Sequence, residues 1–262
     1  GLTVLVIDSG IGGMSIVQQL RTLEEDVSVV YLADNELFPY GDKHPHILIE
    51  RLQYLISTVV SQCHIDAVVI GCNTATVLVI DTLRRIFKIP FVGVVPAVKT
   101  AAEISKTRNF TLVATENTAS SEYIDNLIND FAQDCNVLRL GCPGLADLVE
   151  DKIYGREVSQ QSLQTIFAEA PQVELDKSDV IVLGCTHYAY IMEELRAYFR
   201  NDQTIIEPSL PVAKRTQWVL NKIRQEQVRQ PQTLVAQNNR FLLTQTLSVT
   251  SQLHQFLLSH GF

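Results

Sequence analysis

The sequence has 262 residues, of which 46% are apolar and 19% charged, and its formal net charge is -8. This acidic balance gives little support to nucleic-acid binding, which relies on dense Lys and Arg. No apolar stretch reaches the roughly 18 residues of a transmembrane helix, so no membrane span is expected. The apolar run Leu2–Ile7 lacks a basic flank and is too short for a signal-peptide core, so we do not expect a secretory leader there.

Five cysteines stand in the chain, an odd number with no CxxC spacing. This pattern argues against a disulfide framework or a zinc site and favours free thiols in a reducing compartment. No metal is expected, because Cys and His do not cluster at ligand spacing. The cysteines are Cys63, Cys72, Cys135, Cys142 and Cys185.

Short β-branched runs alternate with helix-length segments along the chain. The predicted strands are Thr3–Ile7, Ser28–Leu32, Ala67–Ile70, Phe91–Val94, Thr111–Ala114, Asn136–Leu140, Val180–Leu183 and Thr204–Ile206. The predicted helices are Ser15–Leu23, His46–Gln62, Thr74–Phe87, Ser120–Phe131 and Ala189–Phe199. This alternation predicts an α/β fold with parallel sheets, whose ligands bind beyond the carboxyl ends of the strands.

A glycine-rich stretch, Asp8-Ser9-Gly10-Ile11-Gly12-Gly13, follows the first predicted strand. A dinucleotide loop GxGxxG would need Gly at position 15, where this chain has Ser15, so nicotinamide or flavin binding is weakly supported. The stretch is either a small anion nest, with Asp8 and Ser9 facing a ligand, or a plain glycine-rich turn. The next loop contains Phe38-Pro39-Tyr40-Gly41, which suits a binding lip but is equally compatible with an ordinary surface loop.

One segment repeats. The stretch Asp66-Ala-Val-Val-Ile-Gly-Cys72-Asn-Thr74 matches Asp179-Val-Ile-Val-Leu-Gly-Cys185-Thr-His187: an acidic residue, four apolar residues, Gly, Cys and two polar residues. The repeat predicts two pseudo-symmetric α/β domains with the active site in the cleft between them. We place the first domain at residues 1–96 plus 208–262 and the second at residues 97–207. The segment after Pro208 is assigned to the first domain because its elements, Leu210–Val228, Phe241–Leu243 and Leu247–Leu258, are too small for a third core.

A single such cysteine could simply pack in the core. Here each one follows a Gly and precedes a predicted helix, whose N-terminus favours a thiolate. Inverting a carbon stereocentre without a cofactor needs a base on one face and an acid on the other, and a thiol with a pKa of about 8.5 can serve as either. Cys72 and Cys185 are therefore candidate acid–base partners. His187 could tune Cys185, and Glu150 could support His187.

Together these motifs resemble the bacterial glutamate racemases of the aspartate/glutamate racemase family. The matching segments are Asp8–Gly13, Phe38–Gly41, Gly71–Ala75, Cys142–Pro143, Leu148–Glu150 and Leu183–Tyr188. They follow the family's order over about the first 190 residues. One departure is Ala114-Thr-Glu-Asn-Thr118, where the family has Gly-Thr-x-Ala-Thr, and it bears on the role of Thr115.

The resemblance implies that Cys72 and Cys185 are the catalytic bases, that Asp8 and His187 assist proton transfer, and that Glu150 supports them. The residues implied to hold the substrate's carboxylates and ammonium group are Ser9, Pro39, Tyr40, Gly41, Asn73, Thr74, Thr115, Thr118 and Thr186. It further implies a cytoplasmic, often homodimeric enzyme that supplies D-glutamate for peptidoglycan, and hence cell shape, without pyridoxal phosphate or metal.

Three other functions fit parts of the sequence. A racemase of aspartate or another acidic amino acid could use the same two cysteines in a pocket of different length. A cysteine hydrolase could use Cys185 as nucleophile and His187 as base, although Cys72 would then be unexplained. A non-catalytic acidic partner protein, such as an inhibitor of a DNA enzyme, is a third class, and no motif in the sequence points to it.

Overall fold

A computed structural model describes residues 1–229, 239–245 and 251–262. It contains two sheets whose paired strands all run parallel. The strands are β1 (Thr3–Asp8), β2 (Ser28–Ala33), β3 (Ala67–Ile70), β4 (Phe91–Gly93), β5 (Asn109–Ala114), β6 (Asn136–Gly141), β7 (Val180–Leu183), β8 (Thr204–Ile206) and β9 (Arg240–Leu243). All eight predicted strands are present, and the predicted α/β fold class is confirmed.

Helices cover both faces of the sheets. They are α1 (Met14–Leu23), α2 (Pro45–Gln62), α3 (Asn73–Ile86), α4 (Val98–Ile104), α5 (Glu116–Ala119), α6 (Glu122–Phe131), α7 (Leu145–Ile153), α8 (Gln160–Phe167), α9 (Gln172–Lys177), α10 (Met192–Tyr198), α11 (Ser209–Arg229) and α12 (Ser251–Ser259). Because strands between two helical layers are buried on both faces, β1, β3 and β7 consist of almost unbroken apolar residues.

The two sheets repeat one arrangement. The first has the order β4-β3-β1-β2-β9 and the second the order β6-β5-β7-β8, so β3 pairs with β1 as β7 pairs with β5. The register also repeats, since Ile7 lies opposite Ile70 and Val113 lies opposite Leu183. The cysteine that follows β3 and the cysteine that follows β7 therefore leave their sheets at equivalent points. We call the parts built on these sheets the first and the second half.

The segment after Pro208 contacts the first half. Strand β9 pairs with β2, and α11 packs against α1. The predicted element Leu247–Leu258 lies partly outside the described residues, and α12 is its described part. The domain boundaries at 96 and 208 stay a prediction.

The α-helix predicted at Ala189–Phe199 begins three residues later in the structure. Residues Thr186–Ile191 form a 3-10 helix, and the α-helix begins at Met192. The first of these segments is rich in aromatic and β-branched residues, which are weak α-helix formers. Helices α4, α5, α8 and α9, each of eight residues or fewer, were not among the predicted helices. Within the part of the chain that the structure describes, no helix is long and apolar enough to span a membrane.

Candidate active site

Cys72 and Cys185 occupy equivalent places at the carboxyl ends of β3 and β7. Each is the N-cap of the following helical segment, with extended backbone, and each thiol is buried. The preceding glycines continue the sheet pairing, because Gly71 N–H donates to Ile7 O at 2.7 Å and Gly184 N–H donates to Val113 O at 2.8 Å. The repeated sequence therefore produces a repeated geometry.

The two cysteine motifs touch each other directly. The hydroxyl of Thr186, the residue after Cys185, donates to the carbonyl oxygen of Gly71, the residue before Cys72, at 2.6 Å. Both groups are buried, so the bond forms away from water. The sequence repeat gave no sign of this contact, which fixes the two strand ends against each other.

A buried network surrounds Cys185. Its sulfur lies 3.5 Å from Nδ1 of His187, and the same nitrogen is 3.6 Å from Oδ2 of Asp8. On the other side of the ring, Nε2 of His187 lies 3.1 Å from Oε1 of Glu150. The predicted neighbours His187, Glu150 and Asp8 are thus brought together, although they come from both halves of the chain.

The imidazole is held among negative groups. Burial alone would lower the pKa of His187, but Asp8, Cys185 and Glu150 together raise it well above its usual value. Burial raises the pKa of Asp8 to about 6, an effect that His187 opposes and Glu150 reinforces. A positive imidazolium beside Cys185 is therefore favoured near neutral pH, and Asp8 titrates close to that range.

The thiol of Cys72 lies in a different environment from that of Cys185. Burial raises the pKa of Cys72 well above its usual value, and the nearby charges of Asp8 and Cys185 add to the shift. The N–H groups of Thr74 and Ala75, at the start of α3, act in the opposite direction. Cys72 thus favours the protonated state while Asp8 is charged.

The glycine-rich stretch makes room for this network. A Cβ on Gly12 would lie 2.3 Å from Cγ of His187, and a Cβ on Gly10 would lie 2.1 Å from Oε1 of Glu150. The main-chain N–H of Ile11 donates to Oε1 of Glu150 at 2.9 Å, and that of Gly13 donates to Oδ2 of Asp8 at 3.1 Å. Two main-chain N–H groups of the stretch therefore bind the protein's own carboxylates.

Three threonine hydroxyls meet between the halves. Oγ1 of Thr74 lies 2.8 Å from Oγ1 of Thr118 and also contacts Oγ1 of Thr115, which in turn donates to Thr118 at 3.2 Å. Thr74 belongs to the first turn of α3, Thr115 is the N-cap of α5, and Thr118 lies within α5. Three predicted binding residues therefore form one cluster whose hydroxyl protons can rotate.

Two buried acceptors of the cysteine and glycine-rich motifs, Oδ1 of Asp8 and Oδ1 of Asn73, are among the side-chain atoms that lack a hydrogen-bond partner within the described residues. The amide nitrogen of Asn73 donates to the carbonyl of Val94 at 3.3 Å. Ser9 is buried directly beside Asp8. Because an unpaired buried acceptor is costly, such atoms are candidate contacts for a ligand's donor.

The predicted lip lines a cavity of about 270 Å³ between the halves. Pro39 and Gly41 border it from the first half, and Thr115, which Gly41 contacts, borders it from the second. Tyr40 is buried, and its hydroxyl donates to Oδ2 of Asp34 at 2.8 Å. The phenol of Tyr40 is thus engaged with the protein.

Two residues near the site were not singled out from the sequence for a role there. Tyr188 is fully buried, borders the cavity, and its hydroxyl lacks a hydrogen-bond partner within the described ranges. Cys142 borders the same cavity, and burial raises its pKa to about 12. Tyr188 follows His187 directly, so its place in the motif was the available signal.

This arrangement suits general acid–base chemistry at carbon. It offers two thiols from equivalent strand ends, a histidine held between carboxylates, and clustered hydroxyls from both halves. Among the described residues, no group of three His, Cys, Asp or Glu side chains could hold a metal ion.

Comparison with known proteins gives the family. A family profile described as Asp/Glu/Hydantoin racemase matches residues 14–214. The glutamate racemase of Pectobacterium atrosepticum is 40% identical over 219 residues, 83% of this chain and 76% of the relative. That of Shewanella loihica is 36% identical over 259 residues, 99% of this chain and 93% of the relative.

Solved structures agree. Escherichia coli glutamate racemase, in a complex with L-glutamate and the activator UDP-MurNAc-Ala, matches with a TM-score of 0.88 and 32% identity, covering 100% of this chain and 96% of that one. The allantoin racemase of Klebsiella pneumoniae, at 18% identity and a TM-score of 0.55 over 91% of this chain and 97% of that one, shares the fold. The chain belongs to the Asp/Glu/hydantoin racemase family.

Proposed function

We propose that this protein interconverts L-glutamate and D-glutamate without a cofactor, using Cys72 and Cys185 as the two bases. The observation that carries the proposal is the equivalent placement of the two thiols, at strand ends joined by the bond from Thr186 to Gly71. The curated relatives that match at 34–40% identity over most of the chain are glutamate racemases.

In this reaction one cysteine, as thiolate, removes the α-proton, and the C–H electron pair stays on the α-carbon as a carbanion. The other cysteine, as thiol, donates its proton to the opposite face. The sulfur that was a thiolate is now protonated, and the other sulfur is now the thiolate. Proton exchange with solvent restores the starting state of the two cysteines. Because the thiols swap roles, one site can serve both directions.

The surrounding charges fit this division of labour. Protonated His187, 3.5 Å from the sulfur of Cys185, would stabilise a thiolate there and could return a proton to it. Glu150 would hold the ring by accepting from Nε2 at 3.1 Å. Asp8, near Cys72, would pair with the substrate's ammonium group through its free Oδ1 and help Cys72 to exchange its proton.

Donor and acceptor capacity suggests which substrate groups bind where. The proton of Thr186 is used on Gly71, so this hydroxyl can act toward a ligand as an acceptor and suits the ammonium group. The rotating hydroxyls of Thr74, Thr115 and Thr118 can each donate and suit a carboxylate. Ser9, Asn73, Pro39 and the main chain of Tyr40 and Gly41 would complete the pocket.

Several properties of the family extend this proposal. We propose that the enzyme works in the cytoplasm, where its five free cysteines would stay reduced, and that it supplies D-glutamate for peptidoglycan. We also propose that the protein forms a homodimer. Its two domains would be residues 1–96 plus 208–262 and residues 97–207.

The decisive assay follows the optical activity of four substrates in parallel: L- and D-glutamate, and L- and D-aspartate. Both glutamate enantiomers should approach the same racemic end point in the presence of chelator and a carbonyl-trapping reagent. Turnover of aspartate alone would replace the proposal by the aspartate alternative. Loss of activity that pyridoxal phosphate restores would overturn the mechanism.

A cysteine hydrolase is the second candidate, because the 3.5 Å contact of Cys185 with His187 resembles a nucleophile–base pair. It leaves the equivalent placement of Cys72 at the end of β3 without a role. A covalent acyl-enzyme at Cys185, detected by intact-protein mass spectrometry with ester or amide substrates, would favour it.

A further inference from the structure

Ser15, the residue that breaks the dinucleotide-loop pattern, lies where three segments of the chain meet. It is buried in the first turn of α1. Its hydroxyl lies 3.1 Å from the carbonyl oxygen of Gly12 and 3.4 Å from that of Thr186, and it accepts a bond from the hydroxyl of Ser209 at 2.6 Å. One oxygen thus contacts the glycine-rich stretch, the second cysteine motif and the start of α11.

One of these contacts is ordinary and two are not. A serine in the first turn of a helix often donates to the carbonyl three residues earlier, and Gly12 stands in that relation to Ser15. The carbonyl of Thr186 and the hydroxyl of Ser209 are separated from Ser15 by 171 and 194 residues. These long-range contacts cannot be explained by local helix geometry.

Both carbonyls that Ser15 reaches belong to residues next to His187, one in space and one in the chain. Gly12 packs so closely on His187 that a Cβ there would lie 2.3 Å from the ring, and Thr186 is the residue before His187. Thr186 is therefore held at both ends, by its hydroxyl on Gly71 at 2.6 Å and by its carbonyl on Ser15 at 3.4 Å. The first contact ties it to the end of the strand before Cys72, and the second ties it to the first turn of α1.

We propose that Ser15 is a positioning residue that holds the segment Cys185–His187 against the glycine-rich stretch, and that Ser209 orients its hydroxyl. Ser15 has one proton, which it shares between the carbonyls of Gly12 and Thr186, while the proton of Ser209 occupies one of its lone pairs. Without Ser15, the carbonyl of Thr186 loses this tie to the first half. His187 is then free to move away from Asp8 and Cys185.

This inference rests on the proposed racemisation for its kinetic consequence, but not for its structural one. Because Ser15 holds the motif of Cys185 and not that of Cys72, its loss should slow α-proton exchange more on the face that Cys185 serves than on the other. A displacement of that motif by a fraction of an ångström to 1 Å would slow the affected exchange by about 10- to 100-fold. A general loss of stability would slow both faces equally.

The test compares Ser15→Ala with Thr216→Val. Thr216 is a matched control, because its buried hydroxyl donates within α11 to the carbonyl of Val212 at 2.8 Å. The first measurement is the pKa of His187 by NMR titration of the free protein, with His187→Gln to assign its signal. The second is the exchange of the α-hydrogen of each glutamate enantiomer in heavy water.

Ser15→Ala should lower the pKa of His187, because the ring moves away from the carboxylate of Asp8, and should change the ratio of the two exchange rates. Thr216→Val should change neither. Ser209→Ala should change the His187 pKa and the exchange ratio in the same direction. In the double variant the effects of Ser15→Ala and Ser209→Ala should be less than additive, as expected for groups in one network.

Equal exchange ratios and equal His187 pKa values in Ser15→Ala and Thr216→Val would overturn the inference while leaving the racemase proposal intact. If the unmodified protein exchanges neither enantiomer, the proposed function fails. The NMR titration then still decides whether Ser15 positions His187.

Discussion

Oε1 of Glu150 lies 3.1 Å from Nε2 of His187 and also accepts the main-chain N–H of Ile11 at 2.9 Å. A single carboxylate oxygen on α7 of the second half therefore holds both the histidine beside Cys185 and the glycine-rich stretch of the first half. This double contact explains how a residue 37 positions before His187 can set the charge state next to the second thiol.

Replacing Glu150 by Gln should test this charge effect. The amide keeps the shape but loses the negative charge that helps to raise the pKa of His187, so that pKa should fall. We expect turnover to fall by about 10- to 100-fold, the lower part of the range for an acid–base group, because Glu150 acts through the ring. NMR titration of His187 together with steady-state rates checks both effects, and an unchanged pKa would contradict the assigned role.

Alanine at Gly10 should imitate that variant. Its Cβ would lie 2.1 Å from Oε1 of Glu150, the mobile end of a side chain, so Glu150 would be displaced and its contact with His187 lost. The double variant Gly10→Ala/Glu150→Gln should then be little worse than either single variant, because both remove one interaction. Fully additive losses of turnover would show that Gly10 acts independently of Glu150.

These contacts mark the limit of what the sequence could predict. The strands and the equivalent places of Cys72 and Cys185 followed from local patterns, because apolar runs and the repeated Gly-Cys are readable in sequence. The bond from Thr186 to Gly71 did not, since it depends on how two halves pack together. The steric purpose of Gly10 and Gly12 was missed for the same reason, because the atoms they admit lie in the other half.

The strand β9 shows a second limit of prediction from the sequence. The segment Phe241–Leu243 was grouped with the tail segments that are too small for a third core, and no strand was predicted there. It becomes a strand because β2 offers it a parallel edge, with Tyr31 opposite Phe241 and their rings stacked at 5.5 Å. A strand of four residues is stabilised by its partner rather than by its own sequence.

Asp8→Asn should raise the stability of the protein at neutral pH while it lowers the activity. Burial raises the pKa of Asp8 from the 3.8 of a free aspartate to about 6, so the folded state binds this proton more tightly than the unfolded state. The resulting stabilisation is fully present below the unfolded pKa and is lost as the pH rises through the folded pKa. At neutral pH the charged carboxylate therefore costs on the order of 3 kcal/mol, which Asn does not incur.

We expect Asp8→Asn to raise the melting temperature at pH 7.5 and to lose this advantage near pH 4, while turnover falls by about 10²–10⁴-fold. Thermal unfolding at both pH values checks the first part, and initial rates check the second. If the stability of Asp8→Asn relative to the unmodified protein were lower at pH 7.5 than at pH 4, the predicted pH dependence would be contradicted. A variant with full turnover would make Asp8 a turn residue only.

The rate should depend on pH in a bell-shaped manner, because one thiolate and one thiol are required together. The two limbs belong to the coupled cysteines and not to either one alone. Asp8 and Cys185 add to the raised pKa of Cys72, so Asp8→Asn should move the ascending limb to lower pH. A rate that rises without a maximum up to about pH 10 would argue against a thiol as the acid.

The two-base mechanism itself is tested by replacing each cysteine with serine. Serine is a far weaker acid than cysteine, and its hydroxyl is scarcely ionised, so either Cys72→Ser or Cys185→Ser should nearly abolish racemisation. Abstraction of the α-proton alone requires only the cysteine on the correct face. The family resemblance implies that Cys72 would remove the proton of D-glutamate and Cys185 that of L-glutamate, and we adopt this assignment as part of the proposal. In heavy water, Cys185→Ser should therefore exchange the α-hydrogen of D-glutamate faster than that of L-glutamate, and Cys72→Ser should show the opposite preference.

A proton NMR time course with each enantiomer measures these exchanges directly. Cys63→Ser is a suitable control, because this half-buried thiol contacts the carbonyl of Val59 at the end of α2 and stands outside the site. It should racemise at the unmodified rate. A reversed preference in the two cysteine variants would exchange the facial assignments and keep two bases. Equal exchange of both enantiomers in both variants would mean that one base reaches both faces of the α-carbon, and the proposal that opposed thiols carry out the reaction would fall.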